Sequence, residues 1–399
     1  MIRTKTRICL LFIFRLPPNC KKGCAAAYSH LLGIEHKFLV EKRALTGRKI
    51  VARQLKLTRF RDVNIDDPFF DSLKAGYAEF PHWFASKADE PLYVVADGQK
   101  ISGMIYLKRE WARINDVTPP LPRQVWLKVG TLKIEPAQTK LGERAIKKIF
   151  DTALNLGAQG IYVTIFEVHQ GLIALFERYG FVFHGTKTTD NGVERVYIRS
   201  LTQHELDPLK RYPFISAEGR KFWLLAIYPE YHSRLLPDSI LNNEPREIVE
   251  DVSYANTIHK VYISGLALQR MSPGDPVIFY RTSDIPGLAR KRSVVTSVCV
   301  IEEVRQRRDF ADLNAFLTYT KPRSVFTDEE LREKYLTRQR LAVAKLTYNA
   351  AFGRRIIRER LLDEDILNPY QRTDLVELPR AAFDRILEMG EVNARLVID

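Results

Sequence analysis

The chain has 399 residues, long enough for two or three domains, and its 45% hydrophobic and 28% charged content is that of a folded globular protein. No apolar run approaches the roughly 20 residues that cross a bilayer, and four cysteines (Cys9, Cys20, Cys24 and Cys299) do not make a disulfide framework, so a reducing cytoplasm is the expected setting. The net charge of +14 is uneven: residues 1–50 hold eleven Lys and Arg against Glu35 and Glu41, and the rest holds 51 basic and 46 acidic side chains.

Residues 1–50 read as a basic leader. Arg3, Lys5 and Arg7 precede an apolar run from Ile8 to Phe14, but that run is short and LPPNCKKGC is a poor cleavage region. A disordered extension, or translation from an upstream start codon, is expected. Cys20 and Cys24 have only His30 and His36 nearby, at spacings that do not suit zinc, so no metal is expected.

Globular patterning starts near residue 51. The run 52–60 reads as an edge strand, followed by a helix with Asp67 as N-cap, Pro68 in the first turn, and Phe69, Phe70, Leu73 and Tyr77 on its apolar side. Two strands, Leu92 to Val95 and Ile101 to Leu107, flank the hairpin signal Asp97-Gly98. A further strand, Val125 to Ile134, leads into a β-α-β-α unit. Its first helix places Ile146, Ile149, Phe150, Ala153 and Leu154 on one face and ends near Gly157. Ile161 to Phe166 is a buried strand, and Leu172, Leu175, Phe176 and Tyr179 mark a second helix stopped by Gly180. A last hairpin turns at Asp190-Asn191-Gly192.

The chemistry is expected where the strand ending at Ile134 meets the helix starting at Thr139 or Lys140. The first N–H groups of a helix lack partners, and its dipole favours phosphate. Gly142 lets an anion approach the backbone, and Lys140 and Arg144 add charge-assisted bonds. The residue types and spacing alone fit both a pyrophosphate site and an ordinary β-turn-α joint.

The order of elements over residues 52–200, with LFERYGF at 175–181, resembles the GNAT superfamily of acyl-CoA-dependent N-acetyltransferases. The resemblance implies acetyl-CoA as cosubstrate. The backbone of Leu132, Lys133 and Ile134 would face the thioester and pantetheine arm, and Thr139, Lys140, Leu141, Gly142, Glu143 and Arg144 would form the pyrophosphate cradle. Two departures accompany it. Lys140 and Ala137 replace the first glycine and the Arg or Gln of the family's loop, with Gln138 fitting only after a one-residue deletion. Phe176 stands where the family often has a tyrosine acid. Tyr179, Glu135 and His169 are the candidate proton carriers, with Glu167 beside them.

Residues 201–220, with Pro208, Pro213 and Gly219, read as a linker. Residues 221–399 read as short strands with helical insertions: Phe222 to Ile227, Lys260 to Ser264, Pro276 to Tyr280, Ser293 to Glu302 and Leu341 to Tyr348, then a capping box at Thr327 and Glu330 and a terminal helix from Arg380 to Met389. The stretch 259–304 resembles the PUA-like barrel superfamily, especially its EVE and ASCH branches. That implies binding of RNA or modified bases, with Tyr262, Ser264, Tyr280, Arg281 and Thr282 as the pocket. Residues 321–360 add eleven Lys and Arg against five acids, interleaved with Tyr335, Tyr348 and Phe352, a pattern that suits a nucleic-acid surface or a solvated helix face.

The expected fold is therefore α/β: a GNAT-type mixed sheet with flanking helices at 51–200 and a PUA-like mixed β-barrel at 221–399. The expected function is acetyl transfer to an amine of RNA, plausibly tRNA, or of an RNA-associated protein. The alternative is a non-catalytic reader of modified nucleic acid whose first domain senses acyl-CoA or is vestigial. Toxin-like acetylation of aminoacyl-tRNA is a third possibility, and the sequence sets no oligomeric state.

Overall fold

Seven strands build the first sheet of the computed structural model, which describes residues 54–97, 100–135, 139–203, 205–245 and 252–399. They are β1 (Gln54–Arg59), β2 (Pro91–Asp97), β3 (Lys100–Ile114), β4 (Leu121–Ile134), β5 (Gly160–Phe166), β6 (Val182–Thr189) and β7 (Gly192–Ser200), in the order β1-β2-β3-β4-β5-β7-β6. All pairs are antiparallel except β4 with β5. A parallel pair needs a crossover, supplied here by α3 (Leu141–Asn155). Between β1 and β2 lie α1 (Asp71–Gly76) and α2 (Phe80–Ser86), and α4 (Gln170–Arg178) follows β5. The leader with Cys9, Cys20 and Cys24 and the turn residues 98–99 lie outside the described residues, although Asp97 pairs with Lys100 across that turn.

Local signals act where they were expected. Asp67 Oδ1 accepts the Phe69 N–H at 2.8 Å, and Asp67 Oδ2 accepts from Ile101 N–H at 3.2 Å, so one cap also anchors the helix to β3. The single helix expected there is instead a 3-10 turn, Pro68–Phe70, then α1. The second short helix, α2, was not foreseen. The face Ile146, Ile149, Phe150, Ala153 and Leu154 of α3 is buried, and Gly157 and Gly180 take positive φ just past α3 and α4.

One bulge opens the sheet. Thr131 pairs with Tyr106 and Val129 with Leu107, so Gly130 bulges out. From there on, residues 131–134 pair only with β3, and β4 meets β5 only from Trp126↔Gly160 to Val129↔Val163. The two parallel strands therefore part into a wedge. A Cβ at Gly130 would lie 2.6 Å from the ring of buried Tyr106, which is packed edge-on against Phe60 and Trp83.

The second half contributes β8 (Ile215–Ser216), β9 (Phe222–Ile227), β10 (His259–Ser264), β11 (Pro276–Arg281), β12 (Val294–Gln306), β13 (Ala342–Ile357), β14 (Leu375–Leu378) and β15 (Val397–Ile398). Six of them form one sheet, β10-β13-β12-β11-β9-β14, while β8 pairs with β15. The sheet curls far enough for Tyr262 on β10 to donate its hydroxyl to the Ala226 carbonyl on β9 at 2.8 Å. The sheet stays open in its backbone pairing, and this side-chain bond links β10 to β9 across the gap. Capping bonds at Thr327 and Glu330 form in both directions, at 3.2 and 2.8 Å.

Residues 201–220 do not run as an exposed connector. Tyr212, Phe214, Ile215 and Ala217 are buried in a core that continues from α3 to β9, β11 and the C-terminal helix Arg380–Met389. Tyr212 donates to the Tyr348 carbonyl at 2.9 Å. Residues 51–399 form one compact unit. Among the described residues no helix is long and apolar enough to cross a membrane.

We expect Gly130→Ala to cost about 1–3 kcal/mol, because the Tyr106 ring has no free space to move into. Urea denaturation of the variant against the parent measures it.

Candidate active site

The wedge between β4 and β5 exposes backbone on two strands, and the side chains around it come from five elements. Leu132 and Ile134 are partly buried against the main core. Lys133 points the other way: its ammonium donates to the Phe69 carbonyl and the Ser72 hydroxyl and lies 4.7 Å from the Phe69 ring centroid. Burial lowers its pKa. Lys133 thus ties the strand to the start of α1, and the backbone turned to the wedge is that of Leu132 and Ile134, since Glu135 and, two residues before it, Lys133 are the residues paired by hydrogen bonds with β3.

At the other side of the joint, residues 136–138, including Ala137 and Gln138, lie outside the described residues. Thr139 has a buried hydroxyl with no partner among the described residues. Lys140 is the N-cap of α3 in the left-handed conformation, φ 57°, with Nζ 3.6 Å from Glu143 Oε1. Leu141 is buried. The missing side chain of Gly142 serves packing, since a Cβ there would lie 2.9 Å from Leu175 on α4. Close approach of α3 and α4 is what this glycine permits.

Glu143 and Arg144 face the second half of the chain. Glu143 Oε2 accepts from Thr257 Oγ1 at 2.6 Å and from the Ile258 N–H at 3.0 Å. Arg144 donates to Asn256 Oδ1 at 3.3 Å and lies 3.8 Å from Asp238, while Asn256 Nδ2 donates to the Thr139 carbonyl at 3.0 Å. One turn on, Lys147 lies between Asp151 (2.8 Å) and Asp238 (3.4 Å), with its ammonium 4.6 Å from the Tyr348 ring centroid. Lys147 and then Arg144 hold the Asp238 carboxyl well below the usual range, against the opposing effect of burial. Behind them is fully buried Lys260, which donates to the Tyr254 and Ala255 carbonyls; burial brings its pKa down to about 7. Of the expected cofactor side chains, Thr139 and Lys140 remain at the helix start, whereas Glu143 and Arg144 join the two halves.

Tyr179 does not reach the wedge. It is fully buried, stacks edge-on against Tyr212 at 5.7 Å, and has no hydrogen-bond partner for its hydroxyl. Burial pushes its pKa far up, so it is a core aromatic and not an acid facing substrate. Phe176 is buried beside it. Glu135 sits at the end of β4, partly exposed, with its N–H on the Ser102 carbonyl. Glu167, at the end of β5, is exposed and ion-paired with Arg195. His169 is exposed at the N-cap of α4 and makes no side-chain cap bond.

Sequence reasoning missed the mouth of the wedge. Tyr77, read as part of an apolar helix face, packs at 5.9 Å on Phe166, the last residue of β5. Burial, then Glu194 and Glu79, raise its pKa to about 12, so it keeps its proton at neutral pH. Asn191, in the β6–β7 turn, donates to Glu79 at 2.7 Å. This mouth joins the α1–α2 connection, the end of β5 and the β6–β7 hairpin, which are distant in sequence, and no local motif marked it.

The nucleic-acid candidates of the second half are not gathered into an open pocket among the described residues. Tyr280 and Arg281 are buried, and Tyr262 spends its hydroxyl on β9. Arg281 pairs with Glu244 at 3.1 Å, and Glu244 also accepts from Ser233 Oγ at 2.5 Å. Burial, with Arg281 and Arg355, pushes neighbouring His232 down to about 3, so it is neutral between Ser233 and Thr296. Ser264 caps the Leu266 N–H, and the Thr282 N–H bonds to Ile227. This is an internal polar network; its members were legible as polar residues but not as core.

Residues 57–181 match the acetyltransferase (GNAT) family, so the first half carries an acetyltransferase domain. No curated protein matches the chain. Similar solved structures include ASCH from Zymomonas mobilis (13% identity, 43% of this chain and 96% of that one, TM-score 0.30). They also include Arabidopsis thaliana NAA60 in complex with a bisubstrate analogue (11%, 37% and 98%, TM-score 0.28) and the Campylobacter jejuni N-acetyltransferase PseH (15%, 37% and 97%, TM-score 0.25).

Asp238→Asn is expected to cost about 2–3 kcal/mol at pH 7, less than the loss of a fully buried pair because 22% of the Asp238 side chain is exposed. A depressed carboxyl pKa stabilises the fold above the ordinary carboxylate range and loses that contribution as pH falls below about 4. The acid side of the stability profile should therefore be shallower in Asp238→Asn than in the parent, read by denaturant unfolding between pH 3 and 7.

Proposed function

We propose that this protein is an acetyl-CoA-dependent N-acetyltransferase acting on an amine of RNA or of an RNA-associated protein, with residues 51–200 carrying the chemistry and residues 221–399 contributing to partner binding. The observation that carries the reading is the wedge at Gly130, which frees the backbone of residues 131–134 beside the N-terminus of α3. The residues fit the cosubstrate: the orphaned Thr139 hydroxyl, the first N–H groups of α3 and the Lys140 ammonium would hold the pyrophosphate, and the strand backbone would hold the pantetheine arm. When bound, acetyl-CoA supplies an acyl group on a good leaving thiol.

The chain's own part is positioning and proton transfer. Free backbone N–H groups near Ile134 polarise the acyl carbonyl. The acceptor amine enters past Glu79, Glu167 and Glu194, whose charge attracts an ammonium but needs a base to neutralise it. Glu135 and Glu167 stand at the two strand ends and can take that proton directly or through water. Tyr77, protonated at neutral pH, replaces Tyr179 as the hydroxyl able to donate toward the leaving sulfur. Holding donor and acceptor in line supplies much of the rate.

A second reading, a non-catalytic acyl-CoA sensor, is favoured by the burial of Tyr179 and by Phe176. Thiol release separates the two. Titration with acetyl-CoA and coenzyme A release in the presence of total cellular RNA should both be positive, and binding without release from any amine would support the sensor. Lys140→Glu should weaken acetyl-CoA binding by about tenfold with little change in Tm, because it reverses charge at the helix start. Tyr77→Phe should lower kcat by about 10- to 100-fold with an unchanged acetyl-CoA Kd.

A further inference from the structure

The β3–β4 hairpin folds back over the sheet: Thr118 bridges to Thr186 on β6, and Asp116 pairs with Lys187 at 2.6 Å. β2 pairs with β3 only as far as Ile105, so residues 107–110 are a free edge of the sheet, and β5 starts opposite Trp126, so residues 111–114 and 121–125 continue as a two-stranded ribbon. Alternation along β3 puts Arg109, Trp111 and Arg113 on the same side, all exposed, with Trp111 at 55%. Arg123, exposed on β4, places its guanidinium 5.6 Å from the Trp111 ring centroid.

These cations differ from their neighbours. Lys108 is paired with Glu110 and Lys187 with Asp116, but Arg109, Arg113 and Arg123 have no ion pair or hydrogen bond among the described residues. Three guanidinium groups thus share one hairpin with an exposed indole, while its carboxylates, Glu110 and Asp116, are paired with Lys108 and Lys187. Arg109 and Arg113 also border a cleft of about 440 Å³ that contains Lys128 and Tyr162. Glu110 and Asp116 line the same cleft and oppose the effect of burial and Lys187, which together lower the Lys128 pKa; its ammonium lies 5.7 Å from the Tyr162 ring.

We propose that this ribbon is a docking surface for a single-stranded segment of nucleic acid, RNA in the reading above. Free guanidinium groups neutralise phosphates, and the Arg123–Trp111 platform offers a planar face to an unstacked base. Arg109 and Arg113 are four residues apart, about 13 Å along the strand, so they flank the base held at Trp111. An acidic peptide would satisfy the charges but has no use for the indole platform. Leu127 and Val125, opposite Arg109 and Trp111, precede Ile134 by seven and nine residues along β4, roughly 23–30 Å, too far to touch a small acceptor at the wedge but suited to anchoring a polymer.

The proposal rests on RNA being the partner, not on acetyl transfer. The test is fluorescence anisotropy of a labelled, unstructured 12-nucleotide RNA with the full chain between 50 and 200 mM salt. Arg109→Glu with Arg113→Glu should weaken binding at least tenfold. Arg109→Gln with Arg113→Gln should flatten the salt slope by about 1.4, that is about 0.7 for each lost phosphate contact. Trp111→Ala should weaken binding about fivefold or more and leave the slope unchanged. Unchanged affinity in the variants, or no RNA binding by the parent, would overturn the proposal. So would equal losses for dextran sulfate together with no effect of Trp111→Ala, which would identify a general polyanion surface. Acetyl-CoA titration of the same variants keeps the readings apart: failure of acetyl-CoA to bind the parent sinks the enzyme reading and leaves the ribbon standing.

Discussion

The buried Glu143 carboxylate is the contact on which the rest of this structure depends. It sits in the first turn of α3, where negative charge complements the helix dipole, and it accepts from Thr257 and from the Ile258 backbone. A buried carboxylate is tolerable only when hydrogen-bonded, so the strand entering β10 must stay beside this helix. The other end of α3 is held in the same way, with Asn393 donating to the Leu154 carbonyl and Arg395 to the Ala158 carbonyl. Groups that helices ordinarily leave to water are satisfied here by the second half of the chain. The helix at the candidate site is thereby clamped at both ends.

That clamp explains why the core is continuous. Asp238 balances Lys147 and Arg144 across the boundary, Tyr212 bridges to β13, and apolar side chains from both sheets meet around α3. Charges on the joining face of α3 are consumed by this contact. What is left for a phosphate-bearing ligand is the helix start itself: backbone N–H groups, Thr139 and Lys140.

Two regions around the first sheet divide the remaining chemistry. Past Gly130, β4 and β5 separate and leave backbone groups free, with acidic and phenolic side chains at the opening. At the opposite end of β4, the ribbon carries unpaired cations and an exposed indole. In the proposed reading the acidic mouth would take an ammonium group and the basic ribbon its polyanionic carrier, and β4 would set the distance between them.

The sequence by itself determined the local elements. Helical spacing fixed the buried face of α3, glycines marked the ends of α3 and α4, Asp67 and Thr327 marked caps, and β9, β10 and β11 appeared within a residue of their positions, while β13 runs nine residues past its expected end and β8, β14 and β15 were not foreseen. These signals were legible because each is encoded within a turn or two of chain. Tertiary structure alone decided which polar side chains are available for chemistry. Tyr179 and Arg281 look reactive in sequence, but packing from distant segments buries them; Tyr77 packs on the aromatic core as its spacing suggests, and the end of β5 also brings it to the mouth. Glu143 and Arg144 were legible as first-turn charges of a helix, yet their partners lie more than ninety residues away. Burial and pairing are sums over contacts between remote segments, so no local pattern of residues records them.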